Sequence, residues 1–266
     1  MNERLNIRRI QAPAEGGEGE FLPFDPARDI APEDWKDLGE AFTEGNYTHA
    51  ERFEFAAFVH ILAPKRRLIS KTEVEDLDEE CMSDTSRHDS VNKMKAAAWV
   101  KMLGFDPIEI QFYREHWETV ENYCHNLSVQ HNWPQFLPVV FWAKIYSNKN
   151  STEFALTDAE CEMARERLSK DLSVRVVTTM ESLAALKVLR PDMAIPLTNE
   201  NWKDIKQWIS KCRGEDWAQF VQTAGYATIL AAHEAKITDA GLQITLRKPR
   251  DSLPDGVGTV PEALEL

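Results

Sequence analysis

Apolar residues recur along this chain at the spacing of an amphipathic helix, and one short pattern returns six times. Each copy has an apolar residue, a residue placed to cap a helix, and a second apolar residue five positions after the first. In the clearest copies, Thr157 and Thr198 are the caps. Apolar residues three and seven positions further on continue one helical face in the first five copies. The leading apolar residues are Ile30, Ile69, Phe112, Leu156, Leu197 and Ile237.

A second apolar stretch follows each of the first five helix starts and predicts a second helix in each unit. These stretches align on one central residue, and the aligned residues are separated by 41, 43, 43 and 41 positions. The helix starts give the same period of about 41 residues independently. The central residues of the five stretches are His60, Lys101, Lys144, Lys187 and Thr228.

The repetition predicts an all-α fold. Five helix pairs would run from residue 30 to 236, and a truncated sixth would begin at Ile237 within a repeat region ending at residue 246. A period of this length with two helices is typical of short HEAT-like or armadillo-like α-solenoids, in which neighbouring units stack to bury their apolar faces. A compact helical bundle of duplicated hairpins is the alternative architecture.

The two flanking segments lack this helical pattern. Residues 1–29 are acidic and contain glycine, and residues 247–266 carry several glycines and prolines, so both are predicted to be flexible arms. The two phenylalanines of "EFLPFDP" in the first arm offer a way for it to dock onto the first helix pair.

Composition narrows the possible functions. The formal charge of −13 disfavours general nucleic-acid binding, which normally needs a basic surface. No apolar run approaches the ~18 residues expected of a membrane span, and no secretory signal opens the sequence. The four cysteines lack the spacing of a zinc ribbon or a disulfide scaffold. A cytoplasmic protein without a cofactor is therefore expected.

The stretches "LKVLRPD", "LTNENWKDI" and "DWAQFVQTAGYATIL" together resemble a helical repeat of uncharacterised bacterial proteins, notably from candidate-phyla (Patescibacteria) genomes. The fifth unit carries the resemblance best through Trp202, Trp217 and Phe220, whereas Val74 and Cys161 replace the first tryptophan in the second and fourth units. The resemblance implies a repetitive helical fold and implies no activity.

Motifs for catalysis, cofactor binding and metal binding are missing. Cys81, Cys124 and Cys161 occupy core positions of the predicted helices, where a cysteine acts as a small buried apolar residue. His116 and His125 lie nine residues apart, which places them on opposite sides of one helix. No nucleophile elbow, phosphate-binding loop or zinc-protease motif occurs. The sequence therefore predicts no catalytic, cofactor-binding or metal-binding residue.

The aligned central residues suggest one binding surface, here called the basic row: His60, Lys101, Lys144 and Lys187. In a stacked array they would line one face, where they could bind an acidic segment of a protein partner. The alternative is that each is the solvent-facing position of its helix. The leading hypothesis is a non-catalytic protein interaction module or assembly subunit. An enzyme or ligand-binding protein with a site in a helical groove is the second hypothesis, and a pocket lined by convergent polar groups would favour it.

Overall fold

The computed structural model describes residues 22–74, 87–105, 112–147, 156–172, 175–238 and 241–246. Within these ranges the chain is mostly helical, and one antiparallel pair of strands follows the helices. Residues 71–74 are also helical. The elements with described bounds are α1 Pro26–Asp29, α2 Pro32–Glu44, α3 His49–Leu62, α4 Arg87–Met102, α5 Arg114–Val129, α6 Trp133–Ser147, α7 Asp158–Asp171, α8 Val176–Leu189, α9 Asn199–Cys212, α10 Trp217–Ala231, β1 Glu234–Thr238 and β2 Gly241–Thr245.

The predicted capping residues do begin helices. The Thr157 backbone N–H donates to Glu160 at 2.9 Å while the Glu160 N–H donates back to the Thr157 hydroxyl at 3.3 Å. Thr198 forms the same reciprocal pair with Asn201 at 3.0 and 3.2 Å. These bonds satisfy amide groups that the first turn of a helix leaves without a partner. The helix starts predicted at α7 and α9 are therefore confirmed.

The helices form two layers that differ in how much of their surface is buried. In α7, three of 14 residues are buried, and they fall on one stripe, as the sequence predicts. In α6, ten of 15 residues are buried, on all sides of the helix. A helix that is apolar all round belongs in a core. The second helices of the pairs therefore form an inner layer, and the first helices cover it.

The inner layer is a closed ring of five helices: α3, α4, α6, α8 and α10. Each packs against the next in chain order, and α10 packs back against α3. An open stack would instead leave α3 and α10 at opposite ends. The structure thus does not confirm the HEAT-like solenoid, because the first and last inner helices are neighbours.

Polar contacts around the outside of the ring join the beginning of the helical region to its last outer helix, α9. The Arg213 guanidinium donates to the backbone oxygen of Asp29 at 2.8 Å and lies 3.4 Å from the Asp34 carboxylate. The Lys206 ammonium lies 3.5 Å from the Asp29 carboxylate. These bonds connect α9 and the turn after it with the start of α2, so both layers close at the same junction.

Aromatic side chains fill the middle of the ring in one layer, here called the aromatic layer: Phe58, Trp99, Trp142 and Tyr226. The Phe58 ring lies 4.9 Å from Tyr226 and 6.4 Å from Trp142, measured between ring centroids. Phe58 and Trp142 belong to inner helices that are not adjacent, so their contact crosses the interior. All four are buried. The ring is therefore packed at this level.

The sixth helix start predicted at Ile237 is wrong, because residues 234–238 and 241–245 form the antiparallel pair β1 and β2. Ala235 is buried between the exposed Glu234 and Lys236, which is the period-two pattern of a strand. Ile237 faces Leu242 across the pair, so the two residues read as a helix staple are cross-strand partners. The fold is consequently mostly helical and not all-α.

The two strands cover the carboxyl end of the inner ring. β1 starts directly beyond the end of α10, and the strands pack against α4, α6 and α8. The backbone N–H of His233 donates to Thr245 at 2.9 Å and fixes the first strand where it leaves the helix. This end of the ring is therefore closed by the chain itself.

The predicted arms fall mostly outside the described residues, which exclude 1–21 and 247–266. Residues 22–29 are described, and they include α1 and the buried Phe24. Phe24 is thus part of the buried core, and its docking onto the first helix pair stays a prediction. In the described ranges, the helices fall short of the length and apolar character that crossing a bilayer requires.

Candidate functional site

Four polar side chains and one proline form a layer next to the aromatic layer, toward the amino ends of the inner helices. Its members occupy the same place in all five helices, six residues before the aligned central positions. Gln222 donates its amide N–H to the Glu54 carboxylate at 3.2 Å, joining α10 to α3 inside the ring. We call this the polar layer: Glu54, Lys95, Pro138, Glu181 and Gln222.

A pocket of about 250 Å³ opens over part of this layer. It lies between α4, α6 and α8, and Tyr123 of the outer helix α5 contributes to its wall. Lys95 and Glu181 supply the two charged groups, and Asn92 and Thr178 are exposed at the rim. The remaining lining residues are Val91, Pro134, Gln135, Pro138 and Val139.

Two prolines shape the α6 wall of the pocket. Pro138 lies inside the helix and has no N–H to donate to the Pro134 carbonyl four residues earlier. The buried Ser182 hydroxyl of the neighbouring α8 lies 3.2 Å from that carbonyl oxygen and 2.8 Å from the Thr178 carbonyl oxygen. The side chain from α8 therefore supplies a donor that α6 lacks, and it holds the two walls together.

The charges of the pocket act on groups deeper in the ring. Burial raises the pKa of Glu54 to about 7, the nearby Lys95 opposes this increase, and Glu181 adds to it. A carboxyl group with this pKa takes up and releases a proton near neutral pH.

Tyr226 lies beneath the carboxylates and is fully buried, with 0% of its surface exposed. Burial, and then the negative charges of Glu181 and Glu54, raises the pKa of its hydroxyl well above 10. The hydroxyl accordingly stays protonated at neutral pH. The Glu181 carboxylate and the Gln222 amide lie within hydrogen-bonding reach of the hydroxyl, in a geometry less regular than a standard bond.

The amino ends of the inner helices add a favourable field for negative charge on this side of the ring. Local caps serve α3 and α10: Thr48 accepts from Glu51 at 3.3 Å, and Asp216 accepts from Gln219 at 2.9 Å, whereas Arg175 before α8 makes no side-chain cap bond. The helix dipoles still place partial positive charge at these ends. The pocket thus combines one carboxylate, one ammonium group and several helix amino ends.

The structure places the basic row at the opposite end of the inner helices. Lys187 donates to the backbone oxygens of Leu230 and Ala232 at 2.6 and 2.7 Å, and Lys101 donates to the Tyr146 oxygen at 3.3 Å. Both lysines therefore bind the last turn of the next inner helix, where a positive charge is favourable. Lys144 is half-buried at the equivalent position of α6.

His60, the fourth member of the row, is half-buried, and burial followed by the Arg67 charge lowers the pKa of its imidazole. The row therefore contains two ammonium groups held by carbonyls and one histidine that favours its neutral form. Binding of an acidic partner segment by this row stays a prediction.

Sequence reasoning did not identify the polar layer, although a signal for it was present. Glu54 lies between Phe53 and Phe55, and Glu181 follows the buried Met180, so each carboxylate interrupts an apolar inner helix. The spacing of 41, 43, 43 and 41 residues that aligned the basic row also aligns this layer six residues earlier. Within the described ranges, His, Cys, Asp and Glu side chains form no group of three that could hold a metal ion.

Comparison with known proteins identifies no relative: no family model, no curated protein and no solved structure matches this chain. The pocket and the polar layer are therefore the features on which a function is argued.

Proposed function

We propose that the ring of five inner helices forms a scaffold that binds a small polar molecule in the pocket at the amino ends of α4, α6 and α8. One observation carries this proposal: opposite charges and polar groups from the non-adjacent helices α4 and α8 line the same pocket. Convergent polar groups in a mostly apolar concave site are typical of ligand binding. This favours the second hypothesis drawn from the sequence over the interaction module.

The accessibility of the two charged groups supports a binding role. Lys95 and Glu181 line the same pocket, and within the described part of the chain neither forms an ion pair with any other side chain. Both side chains are half-buried at the pocket wall, where a ligand can reach them.

The test is ligand-induced stabilisation of the full chain, measured by thermal unfolding against a panel of small polar metabolites. A compound that binds only the folded state raises Tm in proportion to its occupancy. The blocking variant is Asn92→Trp, because Asn92 is exposed at the rim and a larger side chain there fills the entrance. The matched control is Gln207→Trp, an exposed amide on the outer helix α9.

We expect a stabilising compound to shift Tm of the wild type and of Gln207→Trp and to leave Asn92→Trp unshifted. An equal shift in all three proteins would place the site elsewhere and overturn the proposal. If no compound in the panel raises Tm, and wild type and Asn92→Trp capture the same protein partner equally, the small-molecule proposal is overturned. The interaction module is then the better-supported function.

A further inference from the structure

The chemistry of the pocket narrows the class of molecule that it takes. Lys95 and Glu181 come from α4 and α8, which flank α6 on either side, so the two opposite charges face the pocket from opposing walls. They do not form an ion pair with each other. A ligand that satisfies both must itself carry a negative and a positive group.

The rest of the lining sets the size and the polarity of the ligand between its charges. The apolar wall consists of Val91, Pro134, Pro138 and Val139, with the Tyr123 ring beside them. The volume of about 250 Å³ lies below the roughly 300 to 1,000 Å³ of pockets for drug-sized ligands. The ligand is consequently small and has an apolar portion.

Tyr226 is fully buried beneath the pocket lining, where its hydroxyl interacts with Glu181. Glu181 is therefore the negative group that the lining presents to a ligand. The helix amino ends lie at the mouth, where a negative group is stabilised.

We propose that the pocket binds a small zwitterion, an α-amino acid with an apolar side chain, whose carboxylate pairs with Lys95 and whose ammonium group pairs with Glu181. The ammonium group of the ligand lies on the Glu181 side of the pocket, and its side chain lies on the Val91 and Val139 wall. This inference rests on the proposed function, because it names the substrate class of the same pocket.

Ligands with a single charge fit less well for a physical reason. A monoanion satisfies Lys95 and brings its negative charge close to Glu181, whereas a monocation satisfies Glu181 and leaves Lys95 desolvated. Each charge-assisted hydrogen bond that is lost costs about 1.4 kcal/mol or more, which corresponds to roughly tenfold in affinity. Discrimination between charge types is therefore the property to measure.

The experiment is isothermal titration calorimetry of the full chain with L-leucine, with L-leucinamide, which keeps only the ammonium group, and with N-acetyl-L-leucine, which keeps only the carboxylate. The other apolar amino acids are titrated in the same way. The pocket variants are Lys95→Met and Glu181→Gln. The matched controls are Lys203→Met and Glu200→Gln, which are exposed on α9 outside the pocket.

We expect the zwitterion to bind wild type and both controls about tenfold more tightly than either analogue. Lys95→Met should remove the advantage over leucinamide, and Glu181→Gln should remove the advantage over N-acetyl-leucine. An analogue that binds wild type as well as the amino acid would overturn the zwitterion inference.

A second outcome separates the two proposals: no amino acid binds at millimolar concentration, but another polar compound binds and Asn92→Trp abolishes that binding. In that case the zwitterion inference fails and the proposed function is supported. If no compound of any class binds, both proposals fail together.

Discussion

The two ends of the inner ring carry the same kinds of residue and use them differently. At the carboxyl end, the ammonium groups of Lys101 and Lys187 bind backbone carbonyls of neighbouring helices, and two strands cover the opening. At the amino end, Lys95 and Glu181 line a pocket, and neither has an ion-pair partner within the described chain. The aromatic layer separates the two ends.

Under the proposed function, one end of the ring serves stability and the other serves binding. Carbonyl groups at a helix carboxyl end need donors, and a lysine from the next helix supplies them without any ligand. At the amino ends of α3 and α10, Thr48 and Asp216 cap the first amide groups, so the charged groups one turn deeper are not required for capping there. Groups satisfied inside the chain stabilise the fold, and groups left unsatisfied are available to a ligand.

The largest expected loss of stability comes from a substitution in the aromatic layer, which lies between the two ends. Replacing Trp142 with Ala removes a buried ring whose centroid lies 4.6 Å from Phe141 and 5.8 Å from Trp99, and it leaves a cavity at the centre. We expect a loss of about 3 to 5 kcal/mol in the free energy of unfolding, measured with urea. Trp208→Ala on the half-buried face of α9 is the control, and an equal loss there would show that the aromatic layer has no special weight.

The next largest effect is the pH dependence of stability that Glu54 causes near the amino end of the ring. Because the folded state raises the pKa of Glu54 from 4.5 to about 7, its favourable contribution is complete below about pH 4.5 and is lost as the pH rises through 7. Glu54→Gln removes this dependence, and we expect the variant to exceed wild type at pH 8 by up to about 3 kcal/mol and to match it near pH 4.5. The charged and polar groups acting on Glu54 are Lys95, Glu181, Gln222 and Glu51.

The pH prediction is checked by urea unfolding at pH 5 and pH 8, with Glu200→Gln as an exposed control. Glu54→Gln should narrow the difference in stability between the two pH values, and Glu200→Gln should leave it unchanged. A variant that follows the wild-type pH dependence would show that the Glu54 proton is not coupled to folding.

A pair of identical substitutions compares the two ends directly. Lys187→Met removes a cation that donates to the Leu230 and Ala232 carbonyls, and we expect a loss of about 2 kcal/mol in the free energy of unfolding. Lys95→Met removes a pocket cation without an ion pair, and we expect a change within about 0.5 kcal/mol of zero. Chemical denaturation of both variants measures the two losses in the free energy of unfolding. Equal losses would contradict the predicted difference between the two ends.

The smallest expected effect is at the junction of the first and last inner helices. A Cβ atom at Gly225 would lie 2.4 Å from the Phe58 ring, so Gly225→Ala forces α10 and α3 apart. Crowding of this kind costs about 1 to 3 kcal/mol, and the better helix propensity of alanine returns up to about 1 kcal/mol. We expect a net loss of about 1 kcal/mol by thermal unfolding, and a stabilised variant would mean that the junction is loose.

The local elements were predictable from sequence, and the closure of the ring was not. Thr157 and Thr198 mark helix starts because caps and staples act over five residues. The same spacing of units serves an open stack and a closed ring, so it does not reveal that Phe58 meets Tyr226. The prediction of a helix at Ile237 was wrong because two apolar residues five positions apart fit a helix staple and a cross-strand pair equally well. In the structure, Ile237 and Leu242 are cross-strand partners.

The candidate site was hidden for a related reason. Repeat spacing aligns Glu54, Lys95 and Glu181 as readily as it aligns the basic row, but it does not say which face of an inner helix points toward the interior. That direction depends on which helices are neighbours, and the contact between α3 and α10 decides it.

The bonds that close the ring join residues far apart in the chain: 168 positions separate Glu54 from Gln222, and 184 separate Asp29 from Arg213. The Asp29–Arg213 bond can form once the turn after α9 has been made, whereas the Glu54–Gln222 bond needs α10. A nascent chain interrupted before α10 would therefore contain most of the described helices and still lack a completed polar layer.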